Sequence, residues 1–273
     1  MIQRSVVGVI AAVFTVLLVL QGPTSLQWAV ILIFSALSYL ELDRLFFPAR
    51  SPMRQFRGVG LVLLGVVLLA LAPEKAALYL WFPLAVLAAA YVRRANKKGE
   101  FEQAVKGMSL ELLSTVYSLC TVGFFLPILH LNFGREFLLL LFFLVFAGDT
   151  FAYFVGTLWG RRRIASHVSP KKSWEGAMGA VVGALLFAWI WLSFVYHGPR
   201  SERFVLGLFC LAPILCILGQ MGDLLESMLK RSRAQKDSGL FLPGHGGFLD
   251  RTDGLTLSAP AFYFILRAMG DVL

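Results

Sequence analysis

In the stretch 219–231, GQMGDLLESMLKR, the residues Asp223, Glu226, Ser227, Lys230 and Arg231 fall at i, i+3, i+4, i+7 and i+8. On a helix that spacing gathers two carboxylates, a hydroxyl and two cations on one face. Two readings stand. The face is an ion-pair ladder in which Lys230 meets Asp223 and Glu226, or it lines a cavity, because ionisable groups within apolar helices are costly without a partner. The stretch 236–254, KDSGLFLPGHGGFLDRTDG, follows. Pro243, Gly244, Gly246 and Gly247 break any helix there. A glycine backbone can approach a ligand closely, and successive N–H groups can cradle phosphate oxygens. His245 reads either as a turn or capping residue or as part of such a pocket. Asp250 and Asp253 stand three apart and share a face if a helix begins there. Paired carboxylates beside a Gly-rich turn suit Mg²⁺, which takes oxygen ligands and leaves positions for substrate phosphates.

Two further stretches carry polar groups. In GRRRIASHVSPKKSWEG, 160–176, Ser169-Pro170 stops the chain, Lys171 and Lys172 precede Ser173, and Glu175 opens the next apolar run. Ser173 suits a helix N-cap. Two Lys at a helix N-terminus oppose the helix dipole, a conflict that a bound anion would relieve; a plain basic loop is the alternative. In AGDTFAYFVGTLWG, 147–160, Asp149, Tyr153, Gly156 and Gly160 recur at about every fourth residue and so share a face. The glycines allow close helix packing. Asp149 is either the buried partner of a Lys or Arg or part of a substrate cavity.

The elements that must position these groups are apolar. The chain is 58% hydrophobic and only 15% charged, with mean hydropathy +0.74, too little polar surface to cover a water-facing exterior. The expectation is an all-α, polytopic integral membrane protein. Candidate spans are 5–21, 25–41, 57–73, 76–93, 109–131, 136–159, 174–197, 203–226 and 255–272, about nine in all. Met1 to Arg4 lead straight into the first, without a small-residue cleavage site, so it reads as a membrane helix rather than a removed signal. Most of the 25 Lys and Arg fall in alternate loops. They include Arg44, Arg50, Arg54 and Arg57; Arg93, Arg94, Lys97, Lys98 and Lys106; Arg161 to Arg163; and Lys230 to Lys236. This bias places the N-terminus and those loops in the cytoplasm. The net charge of +9 then lies almost wholly on one membrane face, suiting anionic headgroups. The chain reads as one membrane domain, with little motif content in 1–135 and the chemistry in 136–273. Cys120, Cys210 and Cys216 sit in apolar runs and read as small core residues, not as a disulfide or zinc set.

The run from Ser227 to Asp253 resembles the signature of the phosphatidate cytidylyltransferase (CDP-diacylglycerol synthase) family. The residues that carry it are Ser227, Lys230, Arg231, Lys236, Asp237, Pro243, His245, Gly246, Gly247, Phe248, Asp250, Arg251, Thr252 and Asp253. The Asp149 segment and SPKKSWEG resemble the family as well; residues 1 to about 140 do so only in general character. The resemblance implies transfer of a cytidylyl group from CTP to phosphatidic acid with Mg²⁺, releasing pyrophosphate, for phospholipid synthesis. It implies Asp223 and Asp250 as first metal ligands, with Asp253 and Glu226 in support, and it allows a monovalent cation such as K⁺ beside them. Lys230, Arg231, Lys236 and Arg251 would neutralise substrate phosphates, with Asp237 in the same catalytic stretch. His245, Gly246 and Gly247 would shape the nucleotide pocket, while Asp149, Lys171, Lys172, Ser173 and Ser227 would contact substrate. The resemblance further implies a homodimer in the inner membrane, a site facing the cytoplasm and no nucleic-acid partner. A lipid phosphate is already anionic, so catalysis would rest on positioning and charge stabilisation rather than on a strong base.

Three rival readings fit the residues less well. A CTP-dependent polyprenol or phytol kinase would need a base for its alcohol. A transporter of anionic solutes predicts midplane charges in broken helices and inverted repeats, whereas only Asp149 sits deep and no repeat is evident. The Asp-Gly and Ala-Arg pattern of CDP-alcohol phosphotransferases is not found.

Overall fold

Apolar runs of about 20 residues can satisfy their backbone groups in lipid only by coiling into helices. The computed structural model describes residues 13–49, 51–235, 238–239 and 246–270 and is helical through most of them. Residues 13–21 are helical; the rest of the first candidate span lies outside the described residues. There follow α1 (Thr24–Phe46), α2 (Pro52–Leu71), α3 (Ala76–Lys98), α4 (Phe101–Ser118), a π-helical turn (Leu119–Gly123) and α5 (Phe125–Leu129). Beyond these lie α6 (Gly134–Trp159), α7 (Trp174–Phe194), α8 (Glu202–Arg231), the single turn α9 (Leu249–Thr252) and α10 (Leu255–Met269).

Among the described residues, six segments are long and apolar enough to cross a membrane: α1, α2, Phe101–Leu129, α6, α7 and α8. The fold is all-α and membrane-like. α10 has 15 residues, shorter than the span expected at 255–272. α8 runs to Arg231, past the expected end at 226, because its polar face continues the helix beyond the apolar run.

Among the described residues, one small sheet interrupts the helices. β1 (Arg163–Ala165) and β2 (Ser169–Ser173) pair antiparallel; Pro170 is tolerated because a two-stranded ribbon has only edges. β2 delivers Ser173 to α7 as its N-cap, with Oγ accepting from the Gly176 N–H at 3.1 Å, as its position before the helix predicted. Glu175 accepts from the N–H groups of Arg161 at 3.0 Å and Arg162 at 3.2 Å, folding the loop onto the helix start. α6 and α7 approach closely where Gly156 meets Gly176: a Cβ on Gly156 would stand 3.6 Å from the Gly176 Cα. Tyr153, expected on that face, points outward and is 66% exposed. It lies about 40° round the helix from Asp149, at the edge of the packed stripe.

The main core joins Leu138, Leu141 and Leu144 of α6 to Phe204, Leu208 and Leu215 of α8 and Phe262 and Leu266 of α10. A second cluster, Leu42, Leu45, Phe46, Tyr117, Leu229 and Leu249, anchors the turn α9 against α1, α4 and α8. Of the cysteines read as core residues, Cys216 is buried, Cys120 partly so and Cys210 exposed; all three are free thiols. Cys210 departs from the expectation because it lies on an outward face of α8. Two basic residues expected only to set topology also hold helices together. Arg54 pairs with buried Asp43 at 2.7 Å. The Nε of Arg57 donates to buried Glu111 at 3.0 Å, beside the Tyr91 hydroxyl at 2.9 Å.

Candidate active site

The polar end of α8 meets the junction of α9 and α10. Asp223 and Glu226, one turn apart on α8, converge with Asp253, and one carboxylate oxygen from each lies within 4.8 Å of the others. Gly222 permits the approach, since a Cβ there would come 2.3 Å from the Asp253 carbonyl oxygen. Two lysines flank the trio. Lys172 of β2 places Nζ 2.6 Å from Asp223 Oδ2 and donates to the Gln220 carbonyl at 3.1 Å. Lys230 places Nζ 2.5 Å from both Glu226 Oε2 and Asp250 Oδ1. The Ser227 hydroxyl donates to Asp223 Oδ1 at 3.3 Å. Asp149, partly buried on α6, has Lys172 and Asp223 as its electrostatic neighbours. Of the ion-pair ladder, the Lys230–Glu226 pair is present, whereas Asp223 pairs with Lys172 instead of Lys230; the carboxylates of this face converge with Asp253. The Lys172 ammonium, just before the start of α7, pairs with Asp223.

Among the described residues of the Gly-rich segment, four amides donate to protein carboxylates. The Gly247 N–H donates to Asp250 Oδ2 at 2.7 Å, and the Ser238 N–H reaches the same oxygen at 3.0 Å. The Phe248 and Leu249 N–H groups donate to Glu41 of α1, at 2.8 and 3.0 Å. Two protein carboxylates thus occupy donors whose glycine-rich setting suited phosphate. Gly246 turns the chain with φ of 82°, in the left-handed region. Gly247 has no room for a side chain: a Cβ would sit 2.1 Å from Ser238 Oγ and 2.5 Å from Glu41 Oε2. Gly247→Ala is expected to lose about 1–3 kcal/mol through overpacking, read as a lower melting temperature in detergent; an unchanged melting temperature would contradict this packing.

Asp250 and Asp253 are three residues apart but serve different partners. Burial opposes ionisation of Asp250, yet the Lys230 ammonium and the Gly247 and Ser238 amides hold its carboxyl below the usual range. Burial, then the nearby Asp223 and Glu226, push Asp253 well above it. Asp223, Glu226, Asp250 and Asp253 face only Lys172 and Lys230 as paired cations among the described residues. Glu226 Oε1 is buried without a hydrogen-bond donor among them. Hard oxygen donors with uncompensated negative charge fit a divalent cation of the Mg²⁺ class.

Asp223, Glu226, Asp253, Lys172, Lys230, Ser227, Asp149 and Asp250 are thus brought to one region. Ser173 acts there as a helix cap. Lys171, Arg231 and Arg251 are exposed; each adjoins in sequence a residue of that region. Lys236, Asp237 and His245 lie outside the described residues. Sequence reasoning passed over Glu41 and Ser238. Glu41 sits in an apolar helix with no motif around it, and its only signal is a carboxylate within a run otherwise suited to a membrane.

The model of the cytidylyltransferase family matches residues 2–269. The chain belongs to the cytidylyltransferase family. Within it, the chain is similar to the phosphatidate cytidylyltransferase of Haemophilus influenzae, 43% identical over 131 residues, which cover 48% of this chain and 46% of that protein. It is 36% identical over 172 residues to that of Thermotoga maritima, covering 63% of each, and 37% identical over 155 residues to that of Bacillus subtilis, covering 56% of each. The matched stretches therefore span about half to under two thirds of these relatives' lengths. Family membership agrees with the resemblance read from residues 227–253.

Proposed function

We propose that this chain is a Mg²⁺-dependent phosphatidate cytidylyltransferase. A phosphate oxygen of phosphatidic acid forms a bond to the α-phosphorus of CTP, the bond between the α-phosphorus and its bridging oxygen to the β-phosphate breaks, and pyrophosphate leaves with that electron pair. CDP-diacylglycerol remains in the membrane. The observation that carries the reading is the carboxylate trio Asp223, Glu226 and Asp253, flanked by Lys172 and Lys230 at one end of a membrane-type helix bundle; the names of the relatives supply the substrate class.

The trio would hold Mg²⁺, with Asp250 one ion pair away through Lys230. When bound, the cation neutralises phosphate charge. The protein's own groups do the rest. Lys172 and Lys230 orient the carboxylates and bring positive charge beside the phosphates. Arg231, Arg251 and Lys171, all exposed, attract the triphosphate; for Lys236, Asp237 and His245 a role toward substrate rests on the family resemblance alone. No side chain has to remove a proton, because the lipid phosphate arrives ionised. The acyl chains enter from the bilayer. A monovalent cation beside Mg²⁺, a homodimer and a single membrane domain with its chemistry in 136–273 belong to the same reading, as does an inner-membrane location with about nine spans.

The test is pyrophosphate release by purified protein in detergent with Mg²⁺, CTP and either phosphatidic acid or a prenol. Release with phosphatidic acid alone, together with a CDP-lipid, supports the reading. A phosphorylated prenol with CDP as by-product would make the chain a kinase, and no product in a folded sample would end the enzyme reading. The basic hairpin 163–173 is expected to face the cytoplasm: a Cys placed at exposed His167 should resist an impermeant thiol reagent in intact cells and react after the membrane is opened. Labelling from outside would reverse the topology.

A further inference from the structure

Glu41 is a carboxylate 5% exposed in α1, remote in sequence from every motif residue. Its Oε1 accepts from the Phe248 N–H at 2.8 Å, and its Oε2 accepts from the Leu249 N–H at 3.0 Å and the Ser238 hydroxyl at 3.1 Å. All three donors belong to the segment that carries Asp250. The Ser238 hydroxyl also stands 3.0 Å from Asp250 Oδ2. A hydroxyl has one proton, so Ser238 is shared between the two carboxylates and couples them. Asp250 in turn shares Lys230 with Glu226 of the carboxylate trio. Among the described residues, Glu41 makes no ion pair.

We propose that Glu41 is a positioning residue for cytidylyl transfer: from α1 it fixes the Gly247–Leu249 turn and Ser238, and so the Asp250–Lys230–Glu226 chain beside the carboxylate trio. This rests on the functional reading above and extends it to the half of the chain without motifs. Burying an anion is costly, and an apolar residue would pack α1 at less cost. What a carboxylate supplies here is two acceptor oxygens for three donors, the Phe248 and Leu249 N–H groups and the Ser238 hydroxyl. The turn then keeps its shape without side-chain packing at 246 and 247.

Glu41→Gln replaces one acceptor oxygen by an NH₂ donor. That donor must face either the Phe248 N–H or the Leu249 N–H with its Ser238 neighbour, so the turn shifts while the volume is kept. The experiment compares wild type, Glu41→Gln, Ser238→Ala and the double variant in detergent, by amide exchange over residues 246–250, melting temperature, and kcat and KM for each substrate. The expected result for Glu41→Gln is exchange faster by about tenfold or more and kcat lower by about tenfold. Its KM for phosphatidic acid should stay within about twofold of wild type. Ser238→Ala should move kcat in the same direction by a smaller factor. The double variant should be no worse than Glu41→Gln alone, because the two act through one link.

Wild-type kcat in a folded Glu41→Gln variant overturns the proposal, as do independent, multiplicative losses in the double variant. If Glu41→Gln does not fold, Ser238→Ala decides: a lower kcat at unchanged melting temperature supports the proposal, and an unchanged kcat overturns it. If wild type makes no CDP-lipid, the functional reading fails instead, and amide exchange alone judges the link: exchange unaltered by Glu41→Gln shows that Glu41 does not hold the turn.

Discussion

Replacing Lys230 with Met is expected to remove both turnover and a large part of the protein's stability. The ammonium stands 2.5 Å from both Glu226 and Asp250, and these side chains are only 1% and 11% exposed. Met keeps the length and apolar stem of the side chain but leaves buried Glu226 and largely buried Asp250 without their shared cation. Breaking a buried ion pair from one side costs about 3–5 kcal/mol, since the remaining charge is uncompensated. For a chain of this size that is a fall of roughly 10 °C in melting temperature, measurable by intrinsic fluorescence in detergent. The double variant with Glu226→Gln should recover part of the loss, because one of the stranded charges is gone. An unaltered melting temperature in Lys230→Met would mean that Lys230 is not the bridge between these acids.

Asp223→Asn is expected to separate chemistry from folding. Asp223 is 30% exposed and pairs with Lys172, so the fold should lose no more than about 1 kcal/mol. Turnover should fall on the order of 10²-fold or more, because an amide cannot supply the anionic oxygen that the carboxylate trio presents to a cation. The measurement is CDP-lipid formation across a Mg²⁺ titration, with melting temperature as control. Near-normal turnover in a folded variant would remove Asp223 from the metal-binding role and leave Glu226 and Asp253 to be tested in its place.

Residue type and spacing make much of the site legible. The i, i+3, i+7 pattern by itself puts Asp223, Glu226 and Lys230 on one face, since an α8 long enough to span must repeat every 3.6 residues. Ser173 is readable as a cap, because a serine between a Pro-containing break and an apolar run has few other uses. The Gly-rich turn is readable as a turn. Its purpose is not: the same glycines suit a phosphate cradle or the close approach of two protein carboxylates, and local sequence does not distinguish an external anion from Asp250 and Glu41.

The sequence alone determined a polytopic helical membrane protein with a polar segment at the end of its eighth apolar run, because hydropathy and helical period are local properties. Only the tertiary structure decided that Asp253 joins Asp223 and Glu226 while Asp250 turns to Lys230. It alone decided that Lys172 crosses from the hairpin to Asp223, and that Glu41 of α1 holds a turn more than 200 positions away. Each of these choices depends on which helix ends meet and which charges are buried together, and Coulomb energies and hydrogen bonds between remote segments leave no periodic trace in the chain.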